Sequence, residues 1–186
     1  MSRTNAPEVR RAQHNGAIVL TNRVAPNRGD TDGGGPQYPQ PVIDDFIENG
    51  IFGLVDYETG RSANPEDVPQ QESNTGKGAL NNYAEFTEVG GYLLAHDEFG
   101  RVYLAHATPG CGMFTTTLVN GEETELKCIK VDAYAEIDHD DWTGLIDILE
   151  DRSYRHTLAG VTDSNERERI VSAYTALERS GDLIYP

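Results

Sequence analysis

Asp138-His139-Asp140-Asp141 is the densest run of metal-ligating side chains in this 186-residue chain. A calcium loop would need oxygen ligands at alternating places, a glycine at the sixth and a bidentate glutamate at the twelfth. Counted from Asp138, those last two places hold Thr143 and Leu149, so the run is expected to cap a helix rather than hold an ion. Gly76-Lys77-Gly78 offers the lysine of a phosphate-binding loop. It lacks that loop's earlier glycine, the hydroxyl residue after the lysine and the preceding apolar strand. His14, His96, His106, His139 and His156 are scattered, and their spacing assigns no Cys-His or Ser-His-Asp relay. No catalytic residue, metal site or cofactor is therefore expected, and the chain is not expected to be an enzyme.

The two thiols are better placed. Asn120-Gly121 separates Met113–Val119 from Glu122–Lys130, and Asn-Gly accepts the positive φ angles of a type I′ hairpin turn. In that register opposed residue numbers sum to 241, so Cys128 faces Met113 and Cys111 lies diagonally beside it on the same face. Two half-buried thiols, or a Cys111–Cys128 disulfide made through a one-step bulge, are the alternatives. One bridge would not make a disulfide scaffold.

The remaining chemistry is electrostatic. The formal net charge is −16, yet the first thirty residues hold Arg3, Arg10, Arg11, Arg23 and Arg28 against Glu8 and Asp30. Ten basic and 29 acidic residues follow, and only three of the fifteen bases are lysine. Strongly hydrated carboxylates suit molar salt, where the Debye length of about 3 Å screens the self-repulsion of so acidic a body. The five arginines are expected to anchor an extended arm on an acidic copy of the protein, an acidic partner or anionic headgroups. Such an acidic body does not favour nucleic acid as a direct partner. No apolar run approaches the ~18 residues of a bilayer span or the core of a signal peptide.

Gly and Pro from Asp30 to Pro41 predict an arm over 1–41 with one strand, Gly16–Asn22. A core over 42–139 is expected to carry strands at Ile51–Glu58, Tyr83–Val89, Tyr92–His96, Arg101–Ala107, Met113–Val119, Glu122–Lys130 and Val131–Ile137. Asp97–Gly100 reads as a four-residue hairpin loop in a register summing to 197, and 61–80 as a long irregular loop. A helical extension over 140–186 is expected to place one helix through Trp142, Leu145 and Leu149 and another over about 165–179, ended by Gly181. The predicted fold is mainly β, a single jelly-roll-like barrel or sandwich with C-terminal helices packed on it.

Val171–Tyr185 resembles the end of a winged-helix domain, in which a recognition helix closes in Leu-Glu-x-x-Gly before a short apolar strand. That resemblance implies an acidic DNA-binding regulator. In length, acidity and strand-rich layout the whole chain resembles the smaller single jelly-roll capsid protein of icosahedral haloarchaeal viruses with an internal membrane. This resemblance implies a structural virion protein in an upright eight-stranded barrel. It would form capsomers with copies of itself and a larger jelly-roll partner, above a membrane the basic arm can touch. A head decoration, connector or tail protein of a tailed haloarchaeal virus is the alternative structural role.

Overall fold

A computed structural model describes residues 18–24, 38–55, 74–119, 122–152 and 158–186. Arg3, Arg10, Arg11, Arg28 and most of the expected 61–80 loop lie outside the described residues.

The chain is mixed α/β rather than the mainly β barrel or sandwich expected, with two open sheets and no closed barrel among the described residues. Strand β1 (Ile18–Arg23) lies inside a five-stranded sheet with β3 (Gly91–His96), β4 (Val102–Ala107), β7 (Ala133–Ile137) and β8 (Leu158–Gly160), in the order β7-β4-β3-β1-β8. β1 runs parallel to β3, a pairing that an antiparallel jelly roll does not contain. Parallel neighbours need a long crossover. Here it contains helix α1 (Gln40–Glu48), strand β2 (Ile51–Val55) and helix α2 (Asn74–Val89). β2 joins β5 (Gly112–Val119) and β6 (Glu122–Lys130) in a three-stranded sheet of order β2-β6-β5. Helices α3 (Thr143–Arg152) and α4 (Ser164–Ser180) follow.

The five-stranded sheet is buried on both faces, which is why Ile18-Val19-Leu20 is a continuous apolar run rather than an alternating one. On one face Ile18, Leu20, Leu93, Ala95, Tyr103 and Ala105 pack with Phe46 of α1, Phe52 of β2 and Tyr83 and Phe86 of α2. On the other, Val19, Leu94, Val102 and Leu104 pack with Leu145 and Leu149 of α3 and Ile170, Tyr174 and Leu177 of α4. The strand expected within an arm is thus in the middle of the core. Its buried Asn22 accepts from Gly53 N–H at 3.1 Å and so ties the two sheets together.

Three further expectations are corrected. Tyr83–Val89 is helical, because Tyr83, Phe86 and Val89 recur every three residues along the buried side of α2. α2 also takes in 74–80, the end of the expected loop. Pro41 does not block α1, since it sits in the first turn, where its missing N–H would have no partner. The β3–β4 register sums to 198, not 197. Asp97 joins the ladder opposite Arg101, and Glu98-Phe99-Gly100 forms a three-residue loop with Gly100 at φ 81°. That one-step shift puts His96 and His106 on the same face, four positions apart along the ladder.

The second hairpin agrees with expectation throughout its described length, Gly112 opposing Ile129, Met113 opposing Cys128 and Val119 opposing Glu122. α4 is capped at Asp163, whose carboxylate accepts from Asn165 and Glu166 N–H at 2.9 and 3.0 Å. It ends at Gly181 in the left-handed conformation.

Candidate functional site: an open sheet edge

Most strand edges in this fold are short, bent or covered. β8 is three residues long, and the outer side of β7 is bridged at Tyr134 by Ile184 from the C-terminal segment, with N–H to O distances of 2.7 and 2.9 Å. β2 is interrupted by a register shift between Phe52 and Val55, and its Gly53 takes φ 60°.

β5 is different. It is eight residues long, regular, and at the end of its sheet. Among the described residues no strand pairs with its outer side. β2 reaches only Lys127–Lys130 of β6, so beyond that point the β5–β6 hairpin has no further strand neighbour among the described residues. Lys130 N–H donates to Cys111 O at 2.9 Å, which makes that pair a hydrogen-bonded one. Bonded and non-bonded pairs alternate along an antiparallel ladder. Met113, Thr115, Thr117 and Val119 therefore bond to β6, while Gly112, Phe114, Thr116 and Leu118 turn N–H and C=O outward.

The sequence of this edge, Gly-Met-Phe-Thr-Thr-Thr-Leu-Val, carries neither charge nor proline, although its partner β6 holds three glutamates and two lysines. Phe114 is 45% exposed. Beside it, α2 and the start of β5 form an open groove of about 280 Å³ lined by Tyr83, Thr87, Glu88, Gly110, Gly112 and Phe114. Gly112 is what lets α2 approach, because a Cβ there would lie 3.1 Å from both the Thr87 side chain and the Tyr83 hydroxyl.

The other candidate residues fall elsewhere. Cys111 and Cys128 are free and buried, and no bridge joins them. The ladder has no bulge between them, so Cys111 faces Lys130 and Cys128 faces Met113, two steps apart. Burial pushes the Cys111 thiol up to about 11 and the Cys128 thiol up to about 12. Both are protonated and unreactive at neutral pH.

Arg23 closes β1 rather than reaching outward. Its guanidinium pairs with Glu98, and it stands opposite His96 in the β1–β3 register. Burial, and then the Arg23 charge, bring the His96 imidazole from 6.5 down to about 4. Between those values the unfolded chain takes up a proton that the folded one refuses. Stability is whole above about 6.5 and falls as the pH drops towards 4, by on the order of 3 kcal/mol. His96→Gln should lose correspondingly less stability than the wild type between pH 7 and pH 4 in denaturant titrations. Equal losses would refute the assignment.

Asp138–Asp141 forms a turn in which the Asp138 carboxylate accepts from Asp140 N–H at 2.8 Å, and α3 begins at Thr143 instead of being capped by Asp140 or Asp141. Among the described residues no three His, Cys, Asp or Glu side chains are grouped to hold a metal ion. Sequence spacing missed His106, whose Nδ1 lies 3.2 Å from Asp132 Oδ2, with the rings of Tyr92 and Tyr174 beside it. Thr108 donates to the same carboxylate at 3.2 Å. The hydroxyl thus contacts the acid and not the imidazole, the wrong order for a nucleophile, base and orienting acid.

Comparison with protein-family models, with curated proteins and with solved structures finds no match to this chain.

Proposed function

We propose that this chain is a structural virion protein of a haloarchaeal virus, a subunit that works through contacts with copies of itself and with other particle proteins. The observation that carries the proposal is the uncharged β5 edge, which no strand covers among the described residues, on an otherwise intensely acidic molecule. Soluble proteins blunt long edge strands with lysine, proline, bulges or covering segments, because open N–H and C=O groups recruit other strands. Leaving the outward N–H and C=O groups of Gly112, Phe114, Thr116 and Leu118 without a strand partner among the described residues favours association. In molar salt the −16 net charge no longer holds copies apart, and an apolar edge then decides whether they meet.

Of the structural roles, a head decoration or connector protein suits two open sheets and a helical layer better than an upright jelly-roll shell subunit does. The arginine arm, with Arg3, Arg10, Arg11 and Arg28, belongs to the same proposal as a tether to a neighbouring acidic subunit or the internal membrane. The regulator reading has less support: the exposed side of α4 presents Glu168 and Glu178 beside Arg169 and Arg179, which gives no basic face for phosphate.

The test is to produce the full chain in a halophilic host, purify it in molar KCl and image it by electron microscopy. Rings of fixed size support the decoration or connector role, and capsomers or sheets support the shell role. A monomer at every concentration overturns the proposal.

A further inference from the structure

Taking the assembly reading as its basis, we infer that β5 pairs antiparallel with β5 of a second copy, about a two-fold axis at Thr116, joining two three-stranded sheets into one six-stranded sheet.

Parity permits this occupant, and residue type selects it. A two-fold axis normal to the sheet keeps the same face of both copies on the same side, so directly opposed residues must have numbers of equal parity. The outward-turned groups of β5 belong to Gly112, Phe114, Thr116 and Leu118, all even, so every even-sum register bonds an outward group to an outward group.

Among these registers the one summing to 232 matches the side chains best. It opposes Phe114 to Leu118, Met113 to Val119, Thr115 to Thr117 and Thr116 to itself. Aromatic–aliphatic and Thr–Thr pairs of this kind are the favourable cross-strand neighbours of antiparallel sheets. The register summing to 230 would instead put Met113 and Phe114 against Thr117 and Thr116 and lose both apolar matches. About six backbone hydrogen bonds form across the 232 register, two from each of three pairs.

Charge selects the same occupant. A strand recruited from a basic or acidic partner would be met by opposite charges along the edge, and β5 has none to offer. A second copy brings the same uncharged strand.

Thr116→Pro tests the pairing with little expected damage to the monomer, because the N–H it removes points away from β6. Sedimentation velocity of the full chain in molar KCl should show a wild-type dimer. Thr116→Pro should weaken dimerisation by roughly 100-fold through loss of the central pair and its neighbours. Thr116→Lys, which would have to strip water from two ammonium groups to bring the edges together, should weaken it as well and serves as the test if the proline variant fails to melt cooperatively. Hydrogen exchange on the wild type should show the Phe114, Thr116 and Leu118 amides gaining protection as concentration rises.

A wild type that stays monomeric, variants that dimerise like the wild type, or those three amides exchanging freely in the dimer would each overturn the inference. Particles that assemble unaltered from Thr116→Pro would remove the β5 pairing and leave the assembly role standing. A dimer that never builds particles would do the reverse.

Discussion

Gly91→Ala is expected to be among the most damaging single substitutions in the molecule, lowering stability by on the order of 3–5 kcal/mol. Gly91 begins β3 opposite Ile18, the first residue of β1, and takes φ 151°, where a side chain is strained whatever the space around it. There is also no space. A Cβ at this position would lie 1.9 Å from Ile18 O and 2.8 Å from both Ile18 C and Ile18 N. These are backbone atoms of a neighbouring strand, so relief requires β1 to move out of the sheet. Ile18, Val19 and Leu20, each at most 1% exposed, would move with it and open both faces of the core together.

A melting temperature at least ~10 °C below wild type, measured in molar KCl, is the expected result. Gly100→Ala is the control. Its φ of 81° is also left-handed, but nothing lies within 4 Å of its Cβ position, so only the backbone term of about 1 kcal/mol remains. Equal effects at the two sites would show that conformation, not the approach of β1, sets the cost at Gly91.

The same junction shows what local sequence could and could not reveal. Asn120-Gly121 fixes a two-residue turn between two strand-like runs, and the register it implies holds over the full described hairpin, because nothing outside the hairpin competes with it. Asp97–Gly100 was legible as a turn, but whether Asp97 belongs to loop or ladder depends on Gly100 adopting the left-handed conformation, and one step changes every pair. α2 was hidden because Gly76, Gly78, Asn81 and Asn82 are poor helix formers. Burial of Tyr83 and Phe86 against β2 and the five-stranded sheet outweighs that local preference. The parallel pairing of β1 with β3 joins residues about seventy positions apart, and no local pattern encodes it.

Of the candidate site, half was readable. The absence of charge and proline from 112–119 is visible in the sequence and distinguishes that run from its partner strand. That it lies at an edge is a property of the strand order β2-β6-β5, which no local pattern encodes. The arginines drew attention for the opposite reason, being conspicuous in composition. The one among them that is described, Arg23, is held within its own chain by Glu98.

Asp97→Ala is expected to cost about 3 kcal/mol, through groups left without partners rather than through the charge itself. Asp97 is 3% exposed. Its Oδ1 accepts from Phe99 and Arg101 N–H at 2.9 and 3.0 Å, closing the β3–β4 turn. Its Oδ2 accepts from Arg101 Nε at 2.6 Å and from the Tyr103 hydroxyl at 3.3 Å. Arg101 in turn reaches Asp44 of α1 at 2.6 Å, so one carboxylate links the hairpin to the helix packed beside it. Burial works against the Arg101 charge, and Asp44 and Asp97 outweigh it, holding the guanidinium above its ordinary value.

Asp97→Asn keeps an acceptor for the turn amides and weakens only the link to Arg101, so it should cost about a third as much. Salt separates this contact from the acidic surface around it. Screening at molar salt acts across about 3 Å of water, and a buried carboxylate in direct hydrogen-bond contact has no water to screen it. The Asp97→Ala loss should therefore be the same within error from moderate to molar KCl, where neutralising an exposed carboxylate such as Asp140 changes little. A loss that disappears at high salt would mean that the contact is an ordinary surface ion pair.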